Sequence, residues 1–557
     1  MVSIIQKGIG VSSGIASGAA KLLVSAVRVE KRTIGANEVS LEIEKFKSGL
    51  EQCVQSIEAV IAKAVQEVSK EEAAILEAHL LMAKDPALVD EVIQKINNER
   101  KCPAWAAAEV LDSYIAMLEN LDDPYMRQRV TDIAELRKTL LGILGGSMPE
   151  EIRLEKNSVI IAEDLGPAET LSLDRTRIVA LVTEKGGRTS HTSILARALG
   201  IPAVVGVPGI LEACGGNNVP IIVDADNSLV IVNPNQEQRT AYEQKIEILA
   251  EEKDALQENA HQPAVTLDGK RIGLWANIGN ADEVAAALAN GAEGIGLFRT
   301  EFLYMDRMEL PSEAEQENVY RQVLTAMEGR PVVIRTLDLG ADKKLPYMPL
   351  EQEENPAMGC RAIRFCLKEK ELLKIQLRAL LRASGSGNLW IMFPMIAVLE
   401  ELWAAKDLLR QVRQELIRDG VAIAENVRLG MMIEVPAAAI NADLFAGEVD
   451  FFSIGSNDLI QYTFAADRQN REVDYLYQPV NPAVLRLIDH TVRAAHSAGI
   501  AVGMCGEMAG DSSNAQMLIG LGLDELSMAS GSLLKMKKEI CRSSFKEAFN
   551  KLTSVLN

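Results

Sequence analysis

His191 is one of five histidines in this 557-residue chain and sits in the run Lys185-Gly-Gly-Arg-Thr-Ser-His-Thr-Ser-Ile194. Gly186 and Gly187 let backbone approach a charged group closely, and Arg188 supplies a fixed cation. Thr189, Ser190, Thr192 and Ser193 add short hydroxyl and amide donors. A neutral imidazole among such groups is a nucleophile near neutral pH, and the phosphoramidate it would form can pass its phosphoryl group on. The same residues also read as a helix start, with a Gly-Gly turn, a Ser/Thr cap and a helical run over 194–199. Chemistry alone leaves both readings open.

A second constellation lies in the C-terminal half. After Gly269, eight short apolar segments alternate with helical stretches: 272–277, 294–299, 332–337, 389–394, 429–434, 451–455, 501–505 and 525–527. This alternation fits a (β/α)8 barrel, and a doubly wound open sheet fits it too. In a barrel, the side chains at the C-terminal ends of the strands build the active site. On that reading Arg299 closes the second segment, Arg335 lies in the third, Glu434 ends the fifth and Cys505 ends the seventh. Asn457 and Asp458 follow the sixth, with Arg468 further along.

Guanidinium forks match phosphate and carboxylate oxygens. Glu434 and Asp458 offer the one or two carboxylates with which proteins commonly hold Mg²⁺, and the Cys505 thiol can move a proton. Taken singly, an arginine at a strand end is usually a salt-bridging surface group and a cysteine on a barrel strand is usually core. Jointly these residues favour a substrate carrying both phosphate and carboxylate, bound through a divalent ion.

The elements that must position them divide the chain. Residues 8–24 are rich in Gly, Ser and Val and read as short strands and turns, whereas 29–144 carry helical periodicity with few glycines. Strand-like segments resume at 158–162, 178–183, 203–207, 221–224 and 229–232. The simplest plan is one discontinuous α/β domain, 1–24 plus 146–233, with a helical bundle, 25–145, inserted in it. Residues 234–262 then form a linker helix, with Tyr242, Ile246, Leu249 and Leu256 on one stripe, and 263–557 form the barrel. Such a linker would let a phosphate-carrying domain visit both donor and acceptor.

The formal charge of −20 disfavours nucleic acid and anionic membranes as partners. Seven cysteines without CxxC or zinc-ligand spacing, and no apolar run of membrane-spanning length, point to a reducing, cytoplasmic compartment.

GGRTSHTSI is similar to the phosphohistidine signature shared by enzyme I of the bacterial phosphoenolpyruvate:sugar phosphotransferase system, phosphoenolpyruvate synthase and pyruvate phosphate dikinase, and its Ser-His-Thr-Ser form resembles enzyme I in particular. RTEFLYMDR, ENPAMGCRAIR and GMCGEMAGD are also like that family, so the resemblance covers essentially the whole chain. It implies that His191 takes the phosphoryl group of phosphoenolpyruvate and passes it to a histidine of the phosphocarrier protein HPr, releasing pyruvate. Arg299, Arg335 and Arg468 would contact the substrate with Asn457 and Asp458; Glu434 and Asp458 would carry Mg²⁺; Cys505 would donate the proton. Thr170 in DLGPAET, with Gly187 and Arg188, would support the histidine. The inserted bundle would dock HPr, and the barrel would join a homodimer. One departure is Ser456, which stands where the family commonly shows Thr, a conservative change.

Two rivals remain on sequence grounds. A dikinase or synthase needs a nucleotide-binding domain, and no G-x-x-x-x-G-K-[ST] loop is present. A signalling scaffold that binds phosphoenolpyruvate without turnover would release at most one equivalent of pyruvate.

Overall fold

The computed structural model describes residues 3–12, 14–23, 29–67, 80–119, 124–145, 154–165, 173–187, 192, 193, 195, 196, 200–305, 307, 309–340, 347, 353–468, 470 and 472–556. The chain forms two compact units, Met1–Glu251 and Glu252–Asn557.

The first unit is built on a mixed sheet. Its strands are β1 (Ile4–Lys7), β2 (Ile9–Ser12), β3 (Ile15–Leu23), β4 (Ser158–Ala162), β5 (Ile178–Thr183), β6 (Ala203–Val205), β7 (Pro220–Asp224) and β8 (Leu229–Val232), in the order β1-β8-β7-β3-β4-β5-β6-β2. Every residue of β4 is buried, so its apolar run is continuous rather than alternating, as expected of a strand covered on both faces. β3 and β4 pair in parallel although the helices Val39–Glu67, Pro86–Glu99, Pro103–Glu119 and Pro124–Leu144 lie between them in sequence. Those helices are therefore an insertion into one α/β domain. They pack around their own core, which includes Phe46, Val92, Ile96, Leu111 and Leu140. Asp85 starts the second of them by accepting from the Ala87 amide, with Pro86 in the first turn.

The helix Gln236–Glu258 follows β8. The Tyr242 hydroxyl donates to Asp224 at 3.0 Å and so ties the helix to the end of β7. Its expected apolar stripe is only partly covered: Tyr242, Ile246 and Leu256 are half-buried, but Leu249 is exposed.

The second unit is a closed parallel barrel in the order β10-β11-β12-β13-β14-β15-β16-β9. Its strands are β9 (Gly273–Ile278), β10 (Ile295–Arg299), β11 (Pro331–Arg335), β12 (Asn388–Phe393), β13 (Arg428–Ile433), β14 (Phe451–Ile454), β15 (Ala501–Met504) and β16 (Glu525–Met528). Closure through the β9–β16 pairing decides between the barrel and the open doubly wound sheet. The expected strand ends shift slightly. β11 stops at Arg335, and Glu434 and Cys505 each lie one residue past their strands, in the loops of the C-terminal mouth. Inside the barrel, Leu297, Val333, Trp390, Met392, Met432, Phe451 and Cys505 form one buried cluster, so the lumen is packed and not a pore. Among the described residues, no helix is long and apolar enough to cross a membrane.

Candidate functional site

Thr170, Arg188 and His191 lie outside the described residues. Two residues before Arg188 in sequence, Gly186 adopts a left-handed φ of 103°, which favours glycine. The Gly187 carbonyl accepts from the Ser193 hydroxyl at 2.7 Å. Among the described residues, nothing lies within 4 Å of a Cβ built on Gly187.

At the C-terminal mouth of the barrel, charged side chains form a connected network. Arg335, at the end of β11, is buried; it donates to Glu301 at 2.6 Å and pairs with Asp338 at 2.9 Å. Arg361 grips both oxygens of Asp338, at 2.9 and 3.0 Å, and reaches Asp458 at 3.5 Å. Tyr462 stands beside it, 3.3 Å from the same guanidinium nitrogen that reaches Asp458.

Glu434 is fully buried. Its Oε1 accepts from the Met395 amide at 2.6 Å, while its Oε2 has no hydrogen-bond partner among the described residues. Burial first, and then the nearby Asp458 and Asp338, push its carboxyl up to about 8 against the pull of Arg335 and Arg361. A buried carboxylate with an unmatched oxygen facing other carboxylates is suited to a hard cation. Glu434 and Asp458 thus fit the oxygen-donor chemistry of Mg²⁺. Among the described residues, no three His, Cys, Asp or Glu side chains converge as a full ligand set, so an ion here would complete its shell with water and substrate oxygens.

Arg299 and Cys505 line a cavity of about 680 Å³ at the same mouth, together with Glu283, Tyr477 and Glu507. Asn457 is locked at its edge: its Oδ1 accepts from the Glu507 amide at 2.9 Å and its Nδ2 donates to Glu507 Oε1 at 3.3 Å. The Tyr477 hydroxyl also donates to Asn457 Oδ1, at 3.3 Å. Arg468 is exposed and its guanidinium faces Tyr477, which places it near Asn457. The Cys505 thiol is buried, and burial pushes it up to about 12. It stays protonated at neutral pH.

The structure therefore draws Arg335, Glu434 and Asp458 into one network, and Arg299, Cys505, Asn457 and Arg468 around the adjoining cavity and its edge. Three members of the network were not assigned from the sequence: Glu301, Asp338 and Arg361. Their signal was present, because Glu301 lies in RTEFLYMDR, Asp338 in VVIRTLDLG and Arg361 in ENPAMGCRAIR.

Three family models match successive parts of the chain: the PEP-utilising enzyme N-terminal domain over residues 7–129, the PEP-utilising enzyme mobile domain over 154–234 and the PEP-utilising enzyme PEP-binding domain over 253–545. A phosphoenolpyruvate-protein phosphotransferase of Geobacillus stearothermophilus is 47% identical over 552 residues, covering 99% of this chain and 95% of that protein. Its counterpart in Bacillus subtilis is 45% identical over 544 residues, covering 97% of this chain and 95% of that protein.

Proposed function

The chain belongs to the phosphoenolpyruvate-protein phosphotransferases, and from that premise we propose that it moves the phosphoryl group of phosphoenolpyruvate to its own His191 and then to a histidine of HPr, releasing pyruvate. The observation that carries this reading is the pair of guanidinium groups, Arg335 and Arg361, set against Glu434 and Asp458 at the barrel mouth. Such a set matches a small dianion or trianion better than it matches an apolar substrate.

In the proposed reaction Arg299, Arg335 and Arg468 offset charge on the carboxylate and phosphoryl oxygens, and Asn457 fixes the substrate at the cavity edge. Glu434 and Asp458 would hold Mg²⁺, which would supply positive charge against the substrate. A neutral ring nitrogen of His191 attacks phosphorus in line, and the bond from phosphorus to the enol oxygen breaks. The enolate that leaves takes a proton at carbon from the Cys505 thiol, which burial keeps protonated. Gly187 and Arg188 hold the phosphoryl oxygens on His191, and Thr170 holds the ring before it is loaded. The active form is a homodimer joined through the barrel. The reaction takes place in the cytoplasm, a compartment in keeping with cysteines that are all free.

The test is incubation with Mg²⁺ and phosphoenolpyruvate labelled in the phosphoryl group, followed by mapping of acid-labile label. Label on His191 that chases onto an added HPr-type carrier is the expected result. Labelling that survives His191→Ala would overturn the reading.

A further inference from the structure

Asn277 belongs to the substrate cavity yet has no part in the proposed reaction. It is the last residue but one of β9, where Leu274, Ala276 and Ile278 are buried in the large core shared with the surrounding helices. Trp275 and Asn277 alternate with them and so face the lumen, where Asn277 lines the same cavity as Arg299 and Cys505. Its carboxamide is held from both ends. Nδ2 donates to the Cys505 carbonyl at 2.9 Å and to the Ser527 carbonyl at 3.3 Å, and Oδ1 accepts from the buried Ser527 hydroxyl. Carbonyl oxygens only accept, so the amide has one workable orientation, its nitrogen toward the two carbonyls and its oxygen toward the hydroxyl.

These bonds take over where the sheet stops. The pairing of β15 with β16 runs to Met504 and Leu526, and the next residues on the two strands are Cys505 and Ser527, whose carbonyls both turn to Asn277. On its other side the Cys505 amide donates to the Ile454 carbonyl at 3.1 Å. The following residue has no slack either, since a Cβ on Gly506 would lie 1.8 Å from Ser456 Oγ. Cys505 is thus pinned at its N–H and at its carbonyl, which fixes the direction of its Cα–Cβ bond and leaves the thiol only its χ1 rotation.

We infer that Asn277, oriented by Ser527, is a positioning residue that aims the Cys505 thiol at one face of the enolate. The inference rests on Cys505 being the proton donor. In that step the S–H bond breaks, a C–H bond forms at the methylene carbon of the enolate and a thiolate remains; Asn277 exchanges no proton. A proton donor must lie within hydrogen-bond reach of its acceptor, and a displacement of about 1 Å at a reacting group can cost about a hundredfold in rate. Because Asn277 acts on the backbone of Cys505, its loss bears on where the proton arrives and not on attack at phosphorus. A thiol that wanders leaves the enolate to take its proton from water on either face.

The experiment uses the full chain with Mg²⁺ and phosphoenolpyruvate that carries deuterium at one of its two vinyl positions, in tritiated water. The new pyruvate is trapped as lactate and the chirality of its methyl group is read, while His191 labelling gives the rate of phosphoryl transfer. The parent chain should give one methyl configuration. Asn277→Asp sets an oxygen against two carbonyls and Asn277→Leu removes the donor; both should move the product toward an equal mixture, with His191 labelling within about threefold of the parent rate. Ser527→Ala, which leaves both Nδ2 bonds in place, should give a smaller loss of configuration. One configuration retained in both Asn277 variants and in Ser527→Ala, with a mixture from Cys505→Ala, overturns the positioning role alone. The parent configuration retained in Cys505→Ala overturns the role of the thiol and the inference with it. Labelling that falls as far as the preference for one face assigns Asn277 a general structural role and also overturns the inference.

Discussion

Arg361 holds Asp338 with two nitrogens, Nη2 at 2.9 and 3.0 Å and Nε at 3.2 Å, although the two residues stand on opposite sides of a long excursion of the chain. Asp338 also pairs with Arg335 at 2.9 Å, so one carboxylate fixes two guanidinium groups at the barrel mouth. The excursion is closed by the Ala362 amide, which donates to the Leu339 carbonyl at 2.8 Å, with Ala362 in a left-handed conformation at φ 52°.

Removing Arg361 should therefore be felt in stability as well as in catalysis. Arg361→Met takes from the buried Asp338 one of its two guanidinium partners among the described residues, and breaking a buried pair in this way costs about 3–5 kcal/mol. Arg361→Lys keeps the charge but loses the fork. The expected result is a smaller loss in urea denaturation and a raised KM for phosphoenolpyruvate. A lysine variant with unchanged KM would show that the fork does not shape the substrate site.

The metal assignment has its own test. Glu434→Gln keeps the size of the side chain and its acceptor for the Met395 amide, but removes the charge. Activation by Mg²⁺ should weaken at least about tenfold. EDTA should abolish His191 labelling in the parent chain, and Mg²⁺ should restore it. Labelling of the Gln variant with the parent's Mg²⁺ dependence would remove Glu434 from the ion's shell.

The strands were legible because barrel strands are short apolar runs bounded by polar turns, and β4 and β5 match their sequence segments residue for residue. Arg299, Arg335, Glu434 and Cys505 were legible because each stands at or beside a strand end, where periodicity gives out and a polar or reactive side chain follows, and Asp458 because it opens the helix after β14. Arg361 was not. It lies well beyond β11 in sequence, and no local pattern announces that it returns to Asp338. Asp338 and Glu301 were hidden differently, since an acid close to an arginine reads as an ordinary surface pair until burial is known. The exposure of Leu249 has the same origin: helical spacing gives a stripe, and only the tertiary structure decides whether anything covers it.

The Cys505 thiol gives a prediction in pH. An ordinary thiol ionises near 9.0, whereas burial pushes this one up to about 12. Its value is raised on folding, so the protonated form contributes its stability fully below the unfolded value and loses it progressively as pH rises from about 9 to about 12. Proton donation to the enolate, followed as the rate of pyruvate formation from phosphoenolpyruvate, should thus show no thiol-linked fall between about pH 7 and pH 10. A break near pH 9 that disappears in Cys505→Ala would mean that the thiol titrates as though exposed.

Lys537 supplies the last prediction. It is buried, and its ammonium donates to the carbonyls of Ala260, of Gln262 at 2.7 Å and of Asn259 at 3.4 Å, just beyond the helix Gln236–Glu258. Gly291 packs against the same turn: its φ is 76°, and an added Cβ would lie 1.9 Å from the Ala260 carbonyl oxygen. The turn after the helix is thereby fixed to the barrel. Lys537→Met keeps the aliphatic stem but leaves these carbonyls unmatched, at a cost of about 1–3 kcal/mol. Urea denaturation should register that loss, and limited proteolysis should gain a cut near residues 259–262. A variant with unchanged stability and no new cut would show that the turn is held by packing against Gly291 alone.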